Sequence, residues 1–161
     1  SYLISEFNNY LKTNKEAILL IIGEGEDKNK LIDQIKKKNI SDNIFIISKI
    51  RNVYPFMKKA RALILSSLWE EVGFVIVEAA FSNLFIISSD CPNGPKEFLN
   101  NGKAGYLFKS NAKNELTKKL KDFKKEEKNL KKFKIKAKKN SSHYSLFKHH
   151  LSLRRVLSNE N

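Results

Sequence analysis

The sequence predicts an α/β domain built on a doubly wound, mostly parallel, Rossmann-like sheet, with a helical C-terminal segment. Three observations predict it. Short, continuously apolar, β-rich runs recur at 17–22, 43–47, 62–66, 84–88 and 106–108. None of them alternates with polar residues, the mark of strands buried on both faces, as in parallel sheets. Amphipathic segments separate the runs with short connections, and right-handed crossovers of that kind place helices on both faces of one sheet. A single sheet of all five strands is therefore expected.

Each element has its own local signal. Tyr2, Leu3, Ile4, Phe7 and Leu11 recur at three- and four-residue spacing, which predicts a helix over 2–13. Ala17 to Ile22 is the first strand, and Gly23-Glu24-Gly25 turns the chain. Leu31, Ile32 and Ile35 set among Lys30, Asp33, Lys36 and Lys37 predict an amphipathic helix over 27–38. Asn43 to Ile47 is the next strand, followed by a short helix over 53–60 and a strand at Ala62 to Leu65. Phe74 to Phe81 is a helix, Leu84 to Ile87 a strand, Pro95 to Asn100 a helical turn and Tyr106 to Phe108 a short strand. From Glu115 to Lys139 the chain is Lys-rich, with Leu116, Leu120, Phe123, Leu130, Phe133 and Ile135 at roughly helical spacing, which fits one long helix or two broken ones. A last segment, Tyr144 to Leu157, is amphipathic and basic.

Composition narrows the function classes. A chain of 161 residues, 41% hydrophobic and 30% charged, fits one soluble globular domain. Its formal charge of +14 attracts polyanions, anionic membrane surfaces and phosphorylated substrates without choosing among them. A Lys bias accompanied by Asn and Ile also follows from an A·T-rich genome. The Lys run over 115–139 is a solvated helix face, without the aromatic interleaving that stacks bases or a base-reading motif, so a nucleic-acid partner is not expected. Cys91 is the lone cysteine, which excludes an intrachain disulfide and a four-cysteine zinc site and points to a reducing, cytoplasmic setting. The longest apolar runs fall far below the roughly 20 residues that span a bilayer. No basic stretch followed by an apolar one marks a signal peptide. Ser1 leads at once into an amphipathic segment, so a missing N-terminal portion is expected. His143, His149 and His150 lie in the basic tail, so neither a metal site nor a cofactor is expected.

Chemistry concentrates in the stretch Ser66-Ser67-Leu68-Trp69-Glu70-Glu71-Val72-Gly73-Phe74-Val75-Ile76-Val77-Glu78-Ala79-Ala80, between a strand and its following helix. Glu70 falls in the loop at the strand's carboxyl end. Glu78, eight positions on, falls about one turn into the helix, so both carboxylates can face one crevice. Gly73 between them allows close approach of the backbone to a ligand. The helix start offers N–H groups and the positive end of its dipole to phosphate or sugar oxygens. A carboxylate at Glu78 can accept hydrogen bonds from both hydroxyls of a ribose, and Glu70 can do the same for a sugar.

This block resembles the Glu, seven residues, Glu signature of the retaining glycosyltransferases grouped as family 4 or group 1. Ser67, Glu70, Gly73 and Glu78-Ala79 stand at its positions, while Glu71-Val72 departs from the first Gly-Phe. Ile86 to Glu97 resembles the family's next strand, Gly-rich turn and Glu, with Asn93-Gly94-Pro95 where Gly-Gly-Pro is common. Ile21-Ile22-Gly23-Glu24-Gly25 is similar to its Val-Gly-Asp-Gly strand end, and Asn101-Gly102 with Gly105-Tyr106-Leu107-Phe108 to its Asn-Gly and Gly-Leu-Leu strand. The resemblance runs from about residue 15 to 123.

The resemblance implies the C-terminal, donor-binding half of a two-domain B-type glycosyltransferase, with residues 1–125 as the donor domain and 126–161 as a basic helical extension. It makes Glu70 the catalytic residue that holds the donor sugar and Glu78 the ligand of the nucleotide ribose. Gly73, Phe74 and Val75 face the sugar and diphosphate, and Gly94 and Glu97 support the site. Glu97 also fits as a carboxylate favoured by a helix dipole, and Ile47-Ser48-Lys49-Ile50 would lie near the base. The implied donor is a nucleotide diphosphate sugar, and the acceptor a glycan or lipid-linked molecule of the cell envelope. The implied reaction is retaining hexosyl transfer at the cytoplasmic face of the membrane.

An Arg and a Lys that the family carries before this domain's first helix have no counterpart here, and Lys96 is the remaining candidate cation. Without those cations and the acceptor domain, supplied in cis or by a partner chain, the chain alone is expected to be inactive. A non-catalytic or partner-dependent nucleotide-sugar-binding subunit is the alternative.

Overall fold

A computed structural model of the protein describes residues 1–71 and 73–158, so the departure from the family pattern at Val72 and the end of the 126–161 extension lie outside the described residues. The elements run α1 (Tyr2–Leu11), β1 (Leu19–Ile22), α2 (Lys28–Lys37), β2 (Ile44–Ile47), α3 (Tyr54–Lys59), β3 (Ala62–Leu65), α4 (Phe74–Phe81), β4 (Phe85–Ser89), α5 (Pro95–Phe98), β5 (Tyr106–Phe108), α6 (Glu115–Glu126), α7 (Lys131–Ser141) and α8 (Leu146–Ser158). Every element expected from the sequence is present, with ends shifted by a few residues.

All strand pairings are parallel: Leu19 lies beside Ile44, Ala62 beside Phe85, and Ile87 beside Tyr106. The missing polar alternation has its explanation in two cores. Phe85 and Ile87 of β4, with Phe108, pack against Ile4, Phe7 and Leu11 of α1, Ile35 of α2, and Leu116 and Leu120 of α6. Ile86, one residue out of phase, packs on the other face with Met57 of α3, Ile76 and Ala80 of α4, and Phe98 of α5. Successive side chains of a strand point to opposite faces, so both phases of β4 must be apolar.

One expectation is corrected. The five strands form not one sheet but two, β1-β2 and β3-β4-β5. Leu19, Ile44, Phe85, Ile87 and Phe108 nevertheless share a single core beneath the same helices. Periodicity reports which face of a strand is buried and carries no record of its lateral neighbour.

The Lys-rich stretch resolves into two helices. A 3-10 turn at Glu127–Asn129 breaks it, and Leu130 just beyond is 1% exposed. Phe133 meets Phe85 and Tyr106 edge to face on the first core, whereas Ala137 joins the second. The chain thus crosses from one face of the sheet to the other along α7, between Phe133 and Ala137. Ile135 is exposed. α8 buries none of its residues, leaving Leu146, Phe147, Leu153, Val156 and Leu157 in solvent.

α1 and α6 are joined by a buried carboxylate. Asn114 caps α6 in a left-handed conformation, and its side chain makes no capping bond. Glu6 of α1, 3% exposed, takes that place: its carboxylate accepts the amides of Asn114 (2.9 Å) and Thr117 (3.0 Å) and the Thr117 hydroxyl (2.8 Å). A helix N-terminus has unpaired N–H groups and a positive dipole end, both favourable to an anion.

Candidate active site

The carboxyl ends of β3, β4 and β5 are tied together by short polar side chains. The carbonyl of Ser67, just after β3, accepts hydroxyls from Ser89 (2.7 Å) and Ser110 (3.2 Å). Asp90 accepts the Ser110 amide at 2.8 Å, and its own amide donates to the Phe108 carbonyl. Sequence reasoning missed this clamp, although Ser88-Ser89-Asp90 at the end of an apolar strand was its visible signal. The clamp fixes the start of the β3–α4 loop, where Glu70 stands.

Glu70 is braced on two sides. The Ser67 hydroxyl donates to its Oε1 at 2.6 Å, a short charge-assisted bond, and its amide approaches the Pro92 carbonyl of the β4–α5 loop at 3.4 Å. The two loops therefore abut at Glu70 and Pro92, and Gly94, two residues on in sequence, caps α5. Gly73 caps α4 with φ +66°, a left-handed conformation that glycine adopts without strain. A Cβ there would lie 3.9 Å from Glu70 Oε2, so the Glu70 carboxylate sits against the start of α4. No side chain caps this helix.

Glu78 lies about one turn into α4, half-buried, with no ion pair or side-chain hydrogen bond among the described residues. Phe74 is exposed and Val75 half-buried at the same helix end. Leu68 and Trp69, next to Glu70, are 67% and 61% exposed. Three large exposed apolar side chains, Leu68, Trp69 and Phe74, thus lie within four residues in sequence of a braced carboxylate at an uncapped helix start. Glu97 is exposed in the first turn of α5. It lines a shallow depression with Phe98, Asn140, His143 and Tyr144, which Glu70, Gly73 and Glu78 do not line. In the β1-β2 unit, Lys28 at the start of α2 donates to the hydroxyl of Ser48, just past β2, at 3.0 Å.

The chain matches the family described as glycosyl transferases group 1 over residues 1–140. It belongs to that family. An uncharacterized glycosyltransferase of Methanocaldococcus jannaschii is 38% identical over 98 residues, 61% of this chain and 24% of that protein. The crystal structure of TarM superposes with a TM-score of 0.86 at 24% identity, over 97% of this chain and 31% of TarM. The pneumococcal O-GlcNAc transferase GtfA, solved with UDP and GlcNAc, superposes with a TM-score of 0.80 at 18% identity, over 98% of this chain and 32% of GtfA. The fold is that of one domain of a B-type glycosyltransferase, as the sequence implied, and this glycosyltransferase chain spans about a quarter to a third of these relatives.

Proposed function

We propose that this glycosyltransferase domain binds a nucleotide diphosphate sugar at the start of α4 and takes part in retaining hexosyl transfer to a glycan or lipid-linked acceptor of the cell envelope. The observation that carries the reading is the Glu70 carboxylate, braced by Ser67 and set against an uncapped helix start. The helix end attracts the diphosphate through backbone N–H groups and its dipole. Glu70, the residue in contact with the transferred sugar, accepts hydrogen bonds from sugar hydroxyls, and Glu78 accepts those of the ribose. Gly73, Phe74 and Val75 line the diphosphate path, and Gly94, at the cap of α5, and Glu97, in its first turn, support the site. Residues 1–125 carry the donor site and 126–161 the extension. GtfA, solved with UDP and GlcNAc, supports the class of donor. No metal or cofactor enters this reading.

Transfer by these 161 residues alone is not expected, because orienting an acceptor against the donor needs an opposing surface. That surface is a further domain in cis or a partner chain at the cytoplasmic face of the membrane. The bare apolar side of α8, with Phe147 69% exposed, favours such a partner-dependent form. Calorimetry with a panel of nucleoside diphosphates and their sugar forms tests the assignment. Glu78→Ala should weaken both ligand classes alike, by roughly 1.5–3 kcal/mol for each charge-assisted bond lost. Glu70→Ala should weaken only the sugar form. Equal losses for both ligands in both variants would overturn the assignment.

A further inference from the structure

Charge is spread unevenly along this chain. Residues 128–158 hold ten of the 31 Lys and Arg and none of the Asp and Glu, whereas residues 1–127 hold 21 basic and 16 acidic residues. A general Lys bias leaves acidic residues interspersed, as they are over 1–127. All ten cations but Lys134 are exposed, and none makes an ion pair among the described residues. α7 gives this charge a face. Its inner side carries Phe133, Ala137 and Ser141 at four-residue spacing, set into the two cores or buried. Ile135 lies two residues from both Phe133 and Ala137, so it falls on the opposite side of the helix, where it is 57% exposed. Residues three and four away are its neighbours on the helix surface, and these are Lys131, Lys132, Lys138 and Lys139. Like charges at four-residue spacing, Lys132 with Lys136 and Lys134 with Lys138, weaken an isolated helix. An anionic surface opposite them converts that repulsion into attraction.

α8 supplies an apolar stripe. Leu146, Leu153 and Leu157, at offsets of seven and eleven residues, share one side of the helix with Val156, and all four are exposed. Lys148 and Arg155 fall on the opposite side, and Phe147 lies about 100° round from Leu146. The 3-10 turn Ser142–Tyr144 joins α7 to α8 and packs against both. No described helix is long and apolar enough to cross a membrane. A short helix with an apolar stripe and a cationic back is instead suited to lying along a lipid interface.

Charge and apolar content together select the occupant. A second copy of the chain would set ten like charges against ten and is repelled. A nucleic acid takes up the cations but offers no seat to Ile135 or to the leucine stripe, and the outer face of α7 carries no aromatic ring on which a base could stack. A bilayer with anionic headgroups takes both, with phosphates against Lys and acyl chains against the apolar side chains. We propose that α7 and α8 form a docking surface for an anionic phospholipid membrane, the Lys ring around Ile135 meeting the headgroups and the stripe of Leu146, Leu153 and Leu157 lying in the interface. α7 packs against α4 and α5, so a membrane held there is held by an element adjoining the candidate crevice. The inference rests on charge and exposure and holds whether or not that crevice takes a sugar donor.

Flotation of the 161-residue chain with lipid vesicles, in the absence of any nucleotide sugar, tests it. Binding to vesicles of equal parts phosphatidylcholine and phosphatidylglycerol should be at least roughly tenfold tighter than to phosphatidylcholine alone, and should weaken as salt rises. Each Lys near such a surface contributes roughly fivefold, so Lys131→Glu, Lys132→Glu, Lys138→Glu and Lys139→Glu together should weaken binding by roughly a hundredfold or more. The same change of net charge at Lys36, Lys37, Lys58 and Lys59, exposed on α2 and α3, should weaken it by less than about tenfold. Leu153→Asp with Leu157→Asp should remove the binding that survives high salt. Far-UV circular dichroism checks the fold of each variant, and Gln at the four α7 positions gives the same direction if the Glu set unfolds. Equal binding to the two kinds of vesicle would overturn the proposal, as would equal losses from the two Lys sets or an α8 pair without effect. A DNA duplex that binds as tightly as the mixed vesicles and depends on the same four Lys would assign the face to polyanions in general, and would also overturn it.

Discussion

Replacing Glu6 by Ala should be a costly polar change away from the crevice, and its size follows from the three hydrogen bonds its carboxylate accepts. The Asn114 amide belongs to an exposed residue and regains water when Glu6 is removed. Thr117 is 6% exposed, and its hydroxyl keeps a second bond to the Glu6 backbone carbonyl at 2.9 Å. Its amide, bonded to Glu6 at 3.0 Å, is left without a partner at a buried helix start. An orphaned buried donor costs about 1–3 kcal/mol. Losing an anion at a helix N-terminus adds roughly 0.3–1 kcal/mol, and up to about 2 in a partly buried setting. Glu6→Ala should therefore destabilise the fold by about 2–4 kcal/mol. For a chain of this size each kcal/mol lowers Tm by roughly 2–4 °C, so the drop is about 5–15 °C. Glu6→Gln keeps one acceptor oxygen and loses the charge, so it should fall about midway. Urea unfolding followed by far-UV circular dichroism measures the difference as a shift in midpoint at constant slope. A loss below about 0.5 kcal/mol for Glu6→Ala, the size of an ordinary surface change, would refute the reasoning.

Three other outcomes follow from the packing and the site. At Gly105 a Cβ would meet the Ile86 carbonyl oxygen at 2.7 Å and Leu99 Cδ2 at 2.9 Å, so Gly105→Ala should cost about 1–3 kcal/mol in the same unfolding assay; an unchanged midpoint would mean the strands shift freely. Burial, with the nearby Glu126 carboxylate adding to it, holds the Tyr106 phenol well above its ordinary value near 10. The unfolded chain ionises first, so Tyr106 contributes stability that is complete below about pH 10 and lost as pH rises beyond it. Tyr106→Phe should flatten that alkaline decline in urea midpoints, and an unchanged slope would count against it. Ser67→Ala removes the 2.6 Å bond to Glu70 and should weaken binding of a nucleotide sugar more than of the bare nucleoside diphosphate in calorimetry. Equal weakening of both would show that Ser67 does not act through Glu70.

The sequence by itself determined the local content of this protein. Continuous apolar runs marked all five strands, three- and four-residue spacing marked the helices, and the linked residues from Ser67 to Ala79 marked the family and the candidate donor crevice. Those signals are local because they depend on the chain's own periodicity and on residues within one turn of each other. What only the tertiary structure decided is lateral and long-range. Parallel partners such as Ala62 and Phe85 lie far apart in the chain, and nothing in either run names the other, so the split between β1 and β3 was invisible. The Glu6 cap on α6 and the Ser67, Ser89 and Ser110 clamp join residues from separate elements. Their value depends on burial that exists only once the layers have closed. Glu97 makes the same distinction at the candidate site. The motif marked it as a carboxylate that supports the site, and only the fold showed that it also lines a depression with Asn140 and Tyr144, because α5, which carries it, packs against α7.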